Sequence, residues 1–284
     1  MIVVTGATGN VGSSVVRSLL ERGAKVRAFV RDPEKARRML GEDIDLSIGD
    51  FDDARSVAEA LNGVKRVFLS SGEGPDKVRW EKAVIDAAEE AGVGLVVKAS
   101  TMGADAGSFS SLAWHGEIEE ALKASGVPWT ILQSNWYMTN LLPNAGQIAA
   151  TGKIFMPAGD ARIGMVDPAD TGRVGAAVVA SDGHEGKTYT VTGPAGVGFT
   201  QVAEALSAAT GRTIGYVDVP PEAAKEAMAA ASLPDWLPDF LDRLFARFRA
   251  GEFGDVADTV DRLTGSPATT IEEFARKHAA AFSA

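Results

Sequence analysis

Thr5-Gly6-Ala7-Thr8-Gly9-Asn10-Val11-Gly12 is the stretch on which the fold turns. It follows Ile2-Val3-Val4, a short β-branched run. It opens Val11–Arg22, whose apolar residues at 11, 15, 16, 19 and 20 make a helical stripe. Gly6 permits a tight turn off the strand, Gly9 lets a pyrophosphate approach the backbone, and Gly12 lets the helix pack closely. The helix start then aims free N–H groups and its positive dipole end at the phosphates. A turn with no ligand is the alternative. A strand before and a helix after are the context a dinucleotide loop requires. Gly6, Thr8, Gly9, Asn10, Val11 and Gly12 are the first expected cofactor contacts.

Outward from the loop the chain alternates. Strands are expected at Lys25–Val30, Leu46–Ile48, Val67–Leu69, Leu95–Val97 and Thr130–Leu132. Helices fall at 33–40, 53–61, 76–91 and 111–125, the first with Asp32 as its N-cap. Gly23, Gly63, Gly92 and Gly126 each follow a helical stripe, where a left-handed residue is expected. Such alternation implies right-handed crossovers and a parallel sheet covered on both faces, an α/β, doubly wound Rossmann-type fold. Ligands then bind at the carboxyl ends of the strands. After about residue 135 the rhythm loosens. Strands are expected at 162–166, 187–192 and 214–218, and helices at 168–180, 199–210, 221–231, 236–249 and 270–282. No Pro/Gly/Ser linker separates the halves. The reading is therefore a Rossmann domain over 1–135 and a smaller C-terminal α/β lobe over 136–284, grown from the same sheet and carrying the substrate side. The aromatic stripe of 232–265 suits core or an oligomer interface, so a homodimer is left open.

Composition narrows the function. Of 284 residues, 45% are hydrophobic and 23% charged, the balance of a water-soluble globular chain. No apolar run is long enough to span a membrane, and no secretory signal precedes the first strand; a cytoplasmic setting is expected. Cysteine is absent, which excludes disulfides, iron–sulfur clusters and thiol catalysis. The histidines, His115, His184 and His278, are too scattered to suggest a metal site. A net charge of −10 argues against nucleic acid as a partner. Yet residues 1–40 hold eight basic and three acidic side chains, a local +5 that suits a small anionic ligand near the N-terminus.

The end of the second strand chooses the cofactor. An acid there binds the ribose 2′-hydroxyl of NAD, whereas an arginine accommodates the 2′-phosphate of NADP. Arg31 directly follows the strand and Lys35 stands a turn on, so NADP(H) is favoured over NAD(H). Asp32 could serve NAD, but Pro33 behind it marks it as a helix cap. After the third strand, Asp50 and Phe51 lie where adenine is expected. After the fourth, Ser70, Ser71 and Gly72 lie toward the ribose and nicotinamide. For these the alternatives, a helix cap at Asp50 and a turn at 70–72, stay open.

A short-chain dehydrogenase carries Tyr-x-x-x-Lys on the helix after the fifth strand, where the lysine lowers the tyrosine pKa. None of the three tyrosines here is followed by Lys four residues on. Ser111 and His115 stand where that pair would be. The run His115-x-x-x-Glu119, Ser125-Gly126-Val127-Pro128-Trp129-Thr130-Ile131-Leu132 and Asn135-Trp136-Tyr137-Met138-x-Asn140 resembles the NmrA-like group of atypical short-chain dehydrogenases. Within it the chain is most similar to the type 2 NAD(P)H:quinone oxidoreductases. The FVRDPEKA run at 29–36, Met165-Val166-Asp167-x-x-Asp170 and Ser266-Pro267-x-Thr269-x-x-Glu272-Glu273-Phe274 extend the resemblance over nearly the whole chain. It implies an NADPH-dependent reductase passing hydride to a quinone or similar flat acceptor; no metal is expected. That group also contains cofactor-sensing regulators without catalysis, the alternative reading.

His115 is the candidate catalytic residue. It could donate a proton or a hydrogen bond to the acceptor, or it could simply pack the helix start; an ordinary imidazole titrates near ~6.5. Quinones accept hydride readily and take their proton from any nearby donor, so a missing Tyr/Lys pair suits them. Asn135, Trp136 and Tyr137 follow the sixth strand and are the expected substrate contacts, the aromatic pair sandwiching a flat ring. Trp136 as core is the alternative.

Overall fold

A computed structural model describes residues 1–231 and 233–283. Ser232, where the aromatic segment was expected to begin, and Ala284, at the end of the expected lobe, lie outside the described residues.

The chain forms two compact units. The first takes in Met1–Ser134, Pro168–Val191 and Thr259–Ser266. Its strands are β1 (Ile2–Val4), β2 (Val26–Val30), β3 (Asp45–Ile48), β4 (Arg66–Leu69), β5 (Leu95–Thr101), β6 (Trp129–Ser134) and, later, β8 (Lys187–Val191). They make one parallel sheet in the order β3-β2-β1-β4-β5-β6-β8. Its helices are α1 (Asn10–Glu21), α2 (Pro33–Leu40), α3 (Ala54–Leu61), α4 (Lys77–Glu90), α5 (Ser110–Ala124), α7 (Pro168–Ala180) and α11 (Thr259–Thr264). One face of the sheet is covered by α3, α4 and α5 through Val57, Leu61, Val84, Ile85, Ile118 and Leu122. On the other face α1 and α7 pack on each other. This is a doubly wound Rossmann-type fold. Because both faces are covered, the strands at the switch point read as apolar runs, Ile2–Val4 in β1 and 67–69 in β4. The strand order reverses between β1 and β4, which makes their carboxyl ends the switch point where ligands bind.

The second unit takes in Asn135–Asp167, Thr192–Asp258 and the residues from Pro267 on. It opens with a 3-10 stretch, Met138–Asn144, and α6 (Ala145–Thr151). Its two strands, β7 (Lys153–Met156) and β9 (Gly215–Asp218), pair in parallel. Helices α8 (Phe199–Thr210), α9 (Pro221–Ala230), α10 (Leu237–Arg249) and α12 (Ile271–His278) complete it. The chain leaves the first unit one residue before the expected 135/136 boundary. It returns twice, first with α7, which covers a sheet face, and β8, which extends the sheet edge, and then with α11, which packs on α7.

Through the first six strands each element starts within a residue of its expected place, but β5 runs four residues past its expected end at Val97. The strand expected at 162–166 is absent: Ile163 and Val166 make only single bridges, to Val197 and Tyr137. The 3-10 stretch, α6, β7 and α11 carry no strong period and were not expected. Gly23, Gly63 and Gly92 have positive φ, but Gly126 does not. α5 is capped by extended Ser125, and the Gly126 amide donates to Glu89 Oε1 at 3.1 Å. Among the described residues no helix is long and apolar enough to cross a membrane.

Candidate functional site

The loop after β1 is built against the loop after β4. Gly6 has φ +59°, and a Cβ there would lie 2.7 Å from the Ser70 carbonyl oxygen. Both facts require glycine. Thr5 Oγ1 donates to Ser70 O at 2.7 Å and accepts from Ser70 N–H at 2.9 Å, tying the two loops together. At Gly12 a Cβ would fall 2.2 Å from Gly6 O, so the helix start presses on the loop's own backbone. Gly9 caps α1 with φ −85° and lies exposed. A Cβ there would meet only Gly6 O, at 3.2 Å, and otherwise open space. The first helical bond is Ser13 N–H to Gly9 O at 2.9 Å. The amides of Asn10, Val11 and Gly12 precede it, as helix-start donors do. Thr8 is half-buried on the same loop. A pyrophosphate fits this cradle: open space at Gly9, at a helix start whose first amides have no partner within the helix.

Around the loop the other expected cofactor residues sort themselves. Asp32 accepts from Lys35 N–H at 2.9 Å as the α2 cap, leaving Arg31 and the Lys35 side chain exposed. Arg31 Nη1 is 3.8 Å from Asp50 Oδ2 and 74% exposed, a loose pair. Asp50 does not cap α3. It accepts from Asp52 N–H at 3.0 Å in a turn, and Asp53 is the cap, accepting from Arg55 N–H at 3.1 Å. Phe51 is wedged between the edge of Phe29, 5.4 Å away, and the face of Trp80, 5.9 Å away. Trp80 Nε1 donates to Asp52 Oδ1 at 2.6 Å, beside Arg79. Those two donors hold the Asp52 carboxyl below its ordinary pKa. Ser71 is not free: its hydroxyl donates to Glu81 Oε1 at 2.7 Å. Nothing crowds Gly72.

Beyond Gly72 lies a group of charges that sequence reading missed. Lys77 sits 3.0 Å from Glu73 and 3.2 Å from Glu81; Lys98 sits 2.9 Å from Glu81. Lys77, Glu81 and Lys98 are almost fully buried. Burial opposes every one of these charges, but the partners outweigh it at three of them. Glu73 is held well below the carboxylate range by Lys77 and His115, Glu81 is lowered by Lys98 and Lys77, and Lys77 is raised by Glu81 and Glu73. At Lys98 burial prevails and the pKa falls. A signal was present. Positions 77 and 81 continue the buried stripe of α4 at 84, 85 and 88, and Lys98 interrupts the apolar run of β5.

His115 belongs to this group. It is 5% exposed, with Lys98 Nζ 3.1 Å from Nδ1 and Glu73 Oε1 3.2 Å from Nε2. Burial, then Lys98 and Lys77, push its pKa down to about 4 against the partial pull of Glu73. The expectation of ordinary imidazole titration is therefore corrected: this ring is neutral at neutral pH. Lys98 also donates to the Ala99 carbonyl. An ammonium only donates, so Nδ1 accepts and the hydrogen is on Nε2.

The residues after β6 lie in the second unit. Asn135 is 2% exposed and both ends of its amide are used, Nδ2 on Phe253 O at 3.0 Å and Oδ1 on Trp136 N–H at 2.7 Å. It works as a strut. Trp136 is half-buried edge-on to Phe199 at 5.9 Å and Phe248 at 6.4 Å, largely as core. Tyr137, also half-buried, precedes the 3-10 stretch and bridges to Val166.

The family model described as NmrA-like matches residues 1–275. The chain is 39% identical to an NAD(P)H azoreductase of Xenophilus azovorans, covering all of both chains. It is 33% identical to quinone oxidoreductase 2 of Escherichia coli over 96% of each chain. A crystal structure of an Escherichia coli NADPH-dependent quinone oxidoreductase complexed with NADPH superposes with a TM-score of 0.89. That pair is 32% identical and covers 98% of this chain and 99% of the other.

Proposed function

The chain belongs to the NmrA-like family, and from that premise we propose that it is an NAD(P)H-dependent reductase passing hydride to a quinone or similar flat acceptor. The observation that carries the reading is the open cradle at Gly9, at the start of α1 and the switch point of the sheet, in a chain similar over its full length to reductases. The regulator alternative has no such support. NADP(H) is the proposed cofactor, because Asp32 is spent on its helix while Arg31 and Lys35 are exposed and cationic. Residues 1–135 would carry the cofactor and 136–284 the substrate side, in a cytoplasmic protein.

When bound, the reduced nicotinamide supplies the hydride. The chain's own residues bind and orient. The amides after Gly9 would hold the pyrophosphate, Arg31 and Lys35 the 2′-phosphate, and Phe51, backed by Trp80, would border the adenine. Ser70 and Gly72 bring backbone close to the nicotinamide end. His115, neutral, is a hydrogen-bond donor rather than an acid. Loss of reduced-nicotinamide absorbance with a panel of quinones and azo dyes tests the reading. Turnover is the expected result. Tight NADP+ binding without turnover of any acceptor would replace it with the regulator.

A further inference from the structure

Ser111 and His115 stand one helical turn apart on α5, and both aim a hydrogen at one carboxylate. Ser111 Oγ donates to Glu73 Oε2 at 2.9 Å, and His115 Nε2 is 3.2 Å from Glu73 Oε1. The tautomer set by Lys98 puts the hydrogen on that nitrogen. Ser111 is 7% exposed and His115 5%, whereas the Glu73 side chain is 47% exposed. Glu73 thus covers two otherwise buried donors from the solvent side. Ser110, immediately before Ser111, has φ +44°, a left-handed conformation that a non-glycine residue holds only under local constraint. Such strain gathers at working sites.

Withdrawal of Glu73 would end its ion pair with Lys77 at 3.0 Å. Its half-exposed carboxylate returns to water, and Lys77 keeps Glu81 at 3.2 Å. What withdrawal would leave is two convergent neutral donors beside a buried ammonium, a setting for an oxygen carrying negative charge. The loop that bears Glu73 begins at Ser70, which Thr5 ties to the glycine loop.

We propose that Ser111 Oγ–H and His115 Nε2–H form a two-donor site for the acceptor oxygen on which negative charge develops, and that Glu73 fills this site in the resting protein. The proposal rests on the reductase reading and deepens it. A quinone receives a hydride, two electrons and one proton, from the reduced nicotinamide, which is oxidised. The product is the hydroquinone monoanion. The two donors hold its oxygen without giving up their hydrogens, and a proton from water completes the hydroquinone. Glu73 competes with the acceptor for the same donors.

Benzoate, a flat carboxylate that takes no hydride, is the probe. Calorimetric titration of the full chain, bare and with NADP+, should show Glu73→Ala binding benzoate at least tenfold tighter than wild type. Adding Ser111→Ala to that variant should remove the gain. The 15N signals of His115 should show a protonated Nε2 in wild type and shift on benzoate addition in Glu73→Ala. With a quinone, the same variant should lower KM several-fold. Glu73→Gln, which keeps the shape without the charge, should fall between the two and serves if the alanine variant does not fold. Equal benzoate affinity in wild type and the folded Glu73 variants, or a gain that survives Ser111→Ala, would overturn the site. Failure of the reductase reading would show separately, as wild type that oxidises no NADPH whatever benzoate does.

Discussion

At the scale of single residues, Arg31, Gly9 and His115 are the positions where the proposed site can be tested. Arg31 is exposed and only loosely engaged. Arg31→Ala should therefore weaken NADPH binding by about 1.5–3 kcal/mol, the range for hydrogen bonds to charged groups, and leave NADH nearly unchanged. Equal losses in paired fluorescence titrations would count against the assignment. Gly9 has φ −85°, which valine tolerates, so backbone strain is not the obstacle to Gly9→Val. The side chain would instead occupy the cradle. Far-UV circular dichroism should stay native while NADPH binding is lost, and retained affinity would refute the phosphate role. His115 titrates at about 4 in the fold and near ~6.5 in the unfolded chain. Between those values the unfolded chain binds a proton that the folded one does not. Stability should then fall as pH drops through that window, by about 3 kcal/mol in all. Urea melts at neutral and acid pH should show this component in wild type and lose it in His115→Gln. By the same reasoning turnover should show no inflection near neutrality from this ring.

Among elements, α4 and β5 meet through charge inside the core. Lys98 is fully buried with Glu81 at 2.9 Å. Lys98→Met leaves Glu81 with Lys77 and Ser71 alone, and should cost about 3 kcal/mol, because a buried carboxylate loses a partner. Replacing both, as Lys98→Met with Glu81→Leu, should recover much of that loss. A double-mutant cycle by chemical denaturation checks both, and a single substitution without effect would show the pair to be dispensable. The seam between α1 and α7 rests on close approach. A Cβ on Gly172 would lie 2.4 Å from Ser14 Cβ, and one on Gly175 2.5 Å from Phe68. Gly172→Ala must push the helices apart, and overpacking of this kind costs about 1–3 kcal/mol.

For the molecule as a whole, a ligand that binds only the folded chain raises its stability. At a hundredfold excess over Kd the gain is about 2.7 kcal/mol, a rise in Tm on the order of 5–10 °C. NADPH should produce it and NADH at equal concentration should fall well short; equal shifts would remove the NADP preference. How far each level could be read from residues alone follows from the range of the forces involved. The glycine spacing, the alternating periods and the Asp32-Pro33 cap are local, set by backbone sterics and by burial that repeats every two or 3.6 residues. By themselves they determined the first six strands, the doubly wound class and the place of the glycine loop. The 3-10 stretch, β7 and α11 had no local period to announce them, and the chain's first return to the first unit depends on which sheet face and edge were left uncovered. Tertiary structure alone brought Glu73, Lys77, Glu81, Lys98 and His115 into contact from a loop, two helices and a strand. It alone turned an imidazole that would titrate near neutrality into a neutral donor, because a pKa is set by the charges and water within a few ångströms, and those neighbours are assembled only when the chain folds.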